Sequence, residues 1–148
     1  MKKTILAILV VVFTIIAGWH IYDYFWDKDL FATGGAVKEI ANVDKEAVII
    51  LMEEEPNLQI ADVRPAKSFA SSHLPGAENV SYTGGKLDPK AVEKMDKSVP
   101  VLVYCDGGFR SRLSLKAFKE AGFERIFHLH RGIMWWKMQG GEVESGKG

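Results

Sequence analysis

The chain has 148 residues, enough for one domain with an appendage, and its 19 basic and 19 acidic residues cancel to a formal charge of zero. Nothing in that balance calls for a nucleic acid partner. The lone cysteine, Cys105, excludes an internal disulfide, a C-x-x-C redox pair and a cysteine-rich zinc site.

Met1-Lys2-Lys3 precedes an uninterrupted apolar run from Thr4 to Gly18. Trp19 and Ile21 extend it past His20 toward the roughly 20 residues that a membrane span needs. Trp19, Tyr22, Tyr24, Phe25 and Trp26 then form a cluster of the kind found at a membrane interface. Ala17 suits the last residue of a cleaved signal, but Ile15 is too large two places before it, and no A-x-A-like site stands out. Residues 1–22 therefore read as an anchor in preference to a cleaved signal, and cleavage would make the protein secreted. Lys2 and Lys3 precede the run, and Asp23, Asp27 and Asp29 follow it. The positive-inside rule then keeps the N-terminus in the cytoplasm and the rest of the chain outside, which in a bacterium means the periplasm.

Residues 23–42 read as a tether and a first strand. Asp27 to Gly35 is the tether, with Gly34-Gly35 breaking any helix, and Ala36 to Ile40 is the strand. Residues 43–148 form the domain. Val43-Asp44 starts a helix capped by Asp44, with Ala47, Val48, Leu51 and Met52 at helical spacing. Glu53, Glu54 and Glu55 end it as a solvated face, and Pro56 stops it. Leu58 to Val63 is the next strand and carries Asp62 to its C-terminal end, the edge where open α/β sheets bind ligands. Arg64 reads as an ion-pair partner for a nearby group. Phe69 anchors a short helix after Pro65, and His73 precedes the turn Leu74-Pro75-Gly76. Asn79 to Tyr82 is a short strand, Gly84-Gly85 a turn, and Asp88 to Met95 a helix.

Val101 to Tyr104 is short, apolar and β-rich, a buried strand that delivers Cys105 to its C-terminal end. Asp106, Gly107, Gly108, Phe109 and Arg110 follow, then a helix with Ser111 as N-cap and Leu113, Leu115, Phe118 and Ala121 as its apolar positions. In this strand–loop–helix arrangement, Gly107 and Gly108 take positive φ and turn backbone amides inward around the sulfur. A thiol there, at the positive end of a helix and near Arg110, is expected to ionise more easily and act as a nucleophile. The competing reading is a buried structural cysteine beside an ordinary turn.

Arg125 to Leu129 is the last strand. His128 and His130 share a face of it, but no third ligand at plausible spacing accompanies them, so no metal site is expected. Gly132 opens a final helix whose Trp135 and Trp136 cover the sheet, and Gly140 to Gly148 reads as a frayed tail. The alternation of strands and helices makes the fold class α/β with a mostly parallel sheet.

Three motifs in register carry a family resemblance. Cys105-Asp106-Gly107-Gly108-Phe109-Arg110-Ser111 resembles the C-x-x-G-x-R-S loop of rhodanese-like sulfurtransferases. Ile60-Ala61-Asp62-Val63-Arg64, Phe69, His73-Leu74-Pro75-Gly76-Ala77 and Asn79 resemble that family's D-V-R…F…H-[IL]-P-G-A-x-N segment. Ala121-Gly122-Phe123, Leu129, Gly132 and Trp136 resemble its closing motif, with Arg131 standing where the family has a first glycine. The resemblance implies about five parallel strands with helices on both faces. It also implies that Cys105 takes sulfane sulfur from a donor such as thiosulfate and passes it from a persulfide to cyanide or a thiol, with no cofactor. Asp106, Gly107, Gly108, Phe109, Arg110 and Ser111 would then bind the small anionic donor, and Asp62, Arg64 and His73 would support the loop. For His73, a base for the thiol is the alternative to bracing the turn.

Asp106, directly beside the nucleophile, repels anions, so donor affinity is expected to be weak or the donor to be a persulfide. Two rivals remain. One is a cysteine phosphatase or arsenate reductase, whose loop is C-x5-R, whereas Cys105 and Arg110 enclose four residues. The other is a membrane-tethered binding or redox-sensing module on the same scaffold.

Overall fold

The computed structural model describes residues 2–30 and 39–146, with backbone alone for 3, 23–30 and 39, and the chain divides into two units, residues 1–32 and 33–148. The first unit holds a single helix, α1 (Lys2–Leu30). Its Thr4–Tyr22 stretch is apolar on every side and long enough to cross a membrane, at about 1.5 Å per residue, although a signal sequence meets the same test. The helix runs on through Asp27 to Leu30, where the sequence predicts a tether. The rest of that tether, with Gly34-Gly35 and the first residues of the predicted strand, lies outside the described residues.

The second unit contains a five-stranded sheet in the order β1-β7-β6-β2-β3, every neighbouring pair parallel. Its strands are β1 (Glu39–Val43), β2 (Gln59–Asp62), β3 (Ala77–Asn79), β6 (Val101–Tyr104) and β7 (Arg125–Leu129). A small hairpin, β4 (Tyr82–Thr83) with β5 (Lys86–Leu87), turns through Gly84-Gly85. The intervening helices are α2 (Lys45–Glu54), α3 (Ala66–Ser71), α4 (Pro89–Lys94), α5 (Phe109–Glu120) and α6 (Gly132–Met138). The Asp44 carboxylate accepts the Ala47 amide at 3.0 Å and caps α2, and Asp88 caps α4 in the same way. Val43, expected at the start of that helix, instead ends β1, because the sheet takes its backbone as the partner of Leu129.

Side chains alternate along a strand, so consecutive residues serve opposite faces of the sheet. Leu102, Tyr104, Phe127 and Leu129 share one face with Val48 of α2, Phe69 of α3 and Trp136 of α6. Val101, Val103, Ile126 and His128 therefore face the other way, toward α5, whose Leu115 and Phe118 are fully buried. The chain thus leaves β2 into a helix on one face and leaves the adjacent β6 into a helix on the other. Between their C-terminal ends lies the crevice that such a reversal of winding opens, the usual binding position in open α/β sheets.

The end of the domain is tied down where the sequence predicts fraying. Glu144 and His73 exchange backbone hydrogen bonds of 2.8 Å, and the Gly146 amide donates to Ala70 at 2.9 Å. Trp136 is buried beneath this segment and donates its indole N–H to Glu142 at 2.7 Å. Trp135 does not cover the sheet; it packs beneath the Arg131 guanidinium, 4.5 Å from its ring centre.

Candidate active site

Cys105 follows directly on β6 at the crevice and is 3 % exposed. The Gly108 amide donates to its Sγ at 3.2 Å, and the Ser111 Oγ lies 3.3 Å from the same sulfur. Both contacts suit a sulfur that carries negative charge, since N–H and O–H dipoles aimed at one atom favour its anion.

Two glycines shape this cradle. Gly108, at φ 93°, is the N-cap of α5, and a Cβ there would strike the His130 carbonyl. Gly132, at φ 60°, lets α6 begin hard against the loop; a Cβ would sit 2.5 Å from the Asp106 carbonyl oxygen. This closeness allows the Ile133 and Met134 amides to donate to the Cys105 and Asp106 carbonyls at 2.9 and 3.0 Å. The loop is therefore held by the N-terminal amides of a second helix, which otherwise lack partners. Gly107, expected to share the left-handed backbone, does not, and has open space around its Cα.

Ser111 is not the N-cap that the sequence predicts. It is the third residue of α5, fully buried, with Oγ also 3.0 Å from the Gly108 carbonyl and 2.9 Å from His128 Nε2. Its proximity to Sγ follows from that one-turn offset, because a true cap would aim its hydroxyl at the helix's own amides.

Asp62 and Arg64 stand at the end of the neighbouring strand. The fully buried Asp62 carboxylate accepts the Arg64 backbone N–H at 2.9 Å, Nε at 3.0 Å and Nη2 at 2.7 Å. Burial works against the Arg64 charge, but the bonds and charge of Asp62, with a further bond to Asp106, outweigh it and keep the guanidinium protonated. Arg64 Nη1 reaches Asp106 Oδ1 at 3.1 Å, and Nη2 donates to the Ser72 carbonyl, so one side chain links β2, the segment after α3 and the cysteine loop. Below it, burial and then the Asp62 charge push the Tyr104 phenol up; it stays a neutral hydroxyl and accepts the Leu74 amide at 3.0 Å.

Asp106 also faces Arg110, whose Nη1 lies 3.8 Å from its Oδ2. That Nη1 is buried and has no hydrogen-bond partner among the described residues. Phe109 is exposed at the mouth of the loop. His73 has its ring committed elsewhere. It stacks on Phe69 with centroids 4.0 Å apart, its Nδ1 is 2.9 Å from the Phe69 carbonyl, and Nε2 is 3.7 Å from Glu144.

One buried group at this site is read from the sequence only as half of a histidine pair. His128 is 1 % exposed, and its Nδ1 lies 2.8 Å from Asn42 Oδ1. Burial above all, with the charges of His130 and Arg112, pushes it down to about 4 against a bond to Gly108, so it is neutral at physiological pH. His130 is exposed, its ring 6.3 Å from that of His128. Strand alternation signals only that His128 faces the sheet side opposite Leu129. It does not signal the partners, because Ser111 and Asn42 lie 17 and 86 residues away in the chain.

Comparison with known proteins defines the class. The family model for the rhodanese-like domain matches residues 45–139, well over half of the chain, and the chain belongs to that family. It is 37% identical over 81 residues to the thiosulfate sulfurtransferase GlpE of Coxiella burnetii, a match covering 55% of this chain and 73% of that protein. The tRNA uridine(34) hydroxylase of Escherichia fergusonii is 29% identical over 98 residues, 64% of this chain but 28% of that longer protein. The solution structure of a rhodanese-like domain from Anabaena superposes with a TM-score of 0.63 at 28% identity, covering 70% of this chain and 78% of that one.

Proposed function

We propose that this protein is a sulfurtransferase that accepts sulfane sulfur on Cys105 and holds it as a persulfide. The observation that carries the reading is the pair of donors, the Gly108 amide at 3.2 Å and the Ser111 hydroxyl at 3.3 Å, converging on one buried sulfur. The family and its thiosulfate sulfurtransferase relative support the same reading.

The reaction runs in two halves. The Cys105 thiolate attacks the outer sulfur of thiosulfate, the S–S bond of the donor breaks, and sulfite leaves with the electron pair. The new S–S bond leaves a negative terminal sulfur for the cradle to stabilise, as an oxyanion hole stabilises oxygen. Cyanide or a thiolate then attacks that terminal sulfur, and the Cys105 thiolate departs, which gives ping-pong kinetics. The Arg110 guanidinium, on a side chain 38 % exposed and with no hydrogen-bond partner for Nη1 among the described residues, is the group that meets the anionic donor. Asp106 weakens that attraction, although Arg64 at 3.1 Å and Arg110 at 3.8 Å offset much of its charge.

The apolar stretch of α1 supports a membrane anchor, and Lys2 and Lys3 before it support a domain outside the cytoplasm, periplasmic in a bacterium. Steady-state thiocyanate formation tests the chemistry. Varying thiosulfate at several cyanide concentrations should give parallel double-reciprocal lines, with no turnover by Cys105→Ser. Intersecting lines, or release of phosphate from aryl phosphates by the wild type, would count against it.

A further inference from the structure

We propose that His128, held from behind by Asn42, is a positioning residue that aims the Ser111 hydroxyl at Cys105 Sγ. The proposal rests on the sulfurtransferase reading for its role, but not for its test.

Ser111 Oγ carries a single hydrogen and has three neighbours within reach: Sγ at 3.3 Å, the Gly108 carbonyl at 3.0 Å and His128 Nε2 at 2.9 Å. Left to itself, the hydroxyl would donate to the carbonyl, which is closer and a better acceptor than sulfur. His128 removes that choice, because its Nε2 also lies 3.2 Å from the same carbonyl. With the proton on Nε2, the imidazole donates to the Gly108 carbonyl and the Ser111 oxygen together. The serine proton is then free for an anionic sulfur. With the proton on Nδ1, Nε2 instead accepts from Ser111, whose lone pairs can take the S–H of a neutral thiol. The tautomer of His128 thus fixes whether Ser111 gives a hydrogen bond to the sulfur or receives one.

Asn42 suits this arrangement. Its register partner in the β1–β7 ladder is His128, so the two side chains share a face, and its Oδ1 lies 2.8 Å from Nδ1, the pairing of the Nδ1–H tautomer, whereas the Nε2–H tautomer takes the amide's NH2 there. An amide offers a carbonyl and an NH2 from the same position, and therefore serves either tautomer after a half-turn. Asn42 is exposed and His128 is buried, so the line Asn42–His128–Ser111–Cys105 runs from the surface to the sulfur. A histidine kept neutral by its burial has two tautomers to offer; a charged one would have none.

The full-length protein in detergent allows the test. The rate of Cys105 alkylation by iodoacetamide and the single-turnover uptake of sulfur from thiosulfate are measured for wild type, His128→Phe, His128→Gln, Ser111→Ala, Asn42→Ala and the Ser111→Ala/His128→Phe and Ser111→Ala/Asn42→Ala double variants. The Phe variant should slow both reactions about tenfold, as expected for one hydrogen bond to a charged atom. The Gln variant, with an amide near the Nε2 position, should recover to within about threefold of wild type. The decisive result is the cycle: on the Ser111→Ala background, the Phe substitution should cost nothing more. A Phe variant with unchanged near-UV circular dichroism and wild-type rates would overturn the proposal, and so would losses that multiply in the double variant. Should the Phe variant not fold, Asn42→Ala decides, since slowing that vanishes on the Ser111→Ala background supports the proposal and wild-type rates overturn it. Alkylation keeps the two readings separable. Coupled alkylation rates without sulfur uptake would leave this inference standing and remove the sulfurtransferase, whereas sulfur uptake with uncoupled rates would do the reverse.

Discussion

At the scale of single residues, the site is a set of paired charges around a sulfur that itself has only dipoles. Asp106 is the clearest case. Its carboxylate is half exposed, and Arg64 and Arg110 approach it from two sides at 3.1 and 3.8 Å. Asp106→Asn should therefore lower the KM for thiosulfate about fivefold, the effect of removing roughly 1 kcal/mol of partly solvated repulsion, with kcat little changed. His128 makes a prediction about stability. Burial holds it at about 4, below its ordinary 6.5, so the unfolded chain takes up this proton first as the solution is acidified. The stability it supports is complete above pH 6.5, declines as pH falls toward 4 and changes no further below that value. The total is about 3 kcal/mol at most. Urea midpoints measured across this window should fall, and in His128→Gln the decline should be shallower. The sequence offers Arg64 as an ion-pair partner for a nearby group, and the fold makes that group Asp62, two residues back in the chain. The partners of His128 were not legible, because a strand histidine resembles any core residue until the chain segments that face it are known.

At the scale of elements, the loop is defined by what holds it as much as by what it holds. The sequence motif marks Cys105, Gly108 and Arg110, whereas Gly132 reads as the start of a helix and a member of the closing motif, not as part of the cradle. The structure makes Gly132 part of the cradle, because α6 begins against the Cys105 and Asp106 carbonyls. Gly132→Ala combines a left-handed backbone with a Cβ 2.5 Å from the Asp106 carbonyl oxygen, and should cost about 3 kcal/mol. It should also slow sulfur uptake by shifting the loop. Gly107→Ala meets open space at an ordinary φ and should change stability by no more than about 0.5 kcal/mol. Urea denaturation of the two variants side by side checks both values. The displaced Ser111 shows why caps mislead here: a serine at a helix start reads as a cap, but the left-handed Gly108 has already taken that position.

At the scale of the whole molecule, the topology supplies the site. Strands β2 and β6 are neighbours whose following helices lie on opposite faces, and the crevice between their ends receives Asp62, Arg64 and Cys105. The strand–helix alternation made the α/β class and parallel sheet readable from local pattern, and the three motifs in register implied about five strands, whose order only the structure supplies. The tied-back end at Glu144 and Gly146 was unreadable, since its partners His73 and Ala70 lie some 70 residues earlier in the chain. The apolar helix leads to a separate expectation. The full chain should remain with membranes on alkaline carbonate extraction, and a chain shortened to residues 33–148 should not; release of the full chain would remove the anchor. The central claim, a persulfide on Cys105, is tested most directly by intact mass. Full-length wild type and Cys105→Ser would be incubated with thiosulfate, freed of small molecules and weighed before and after cyanide. The account predicts that wild type gains one sulfur atom and loses it to cyanide as thiocyanate, while the serine variant gains none. Wild type that takes up no sulfur from thiosulfate or from a low-molecular-weight persulfide would contradict it.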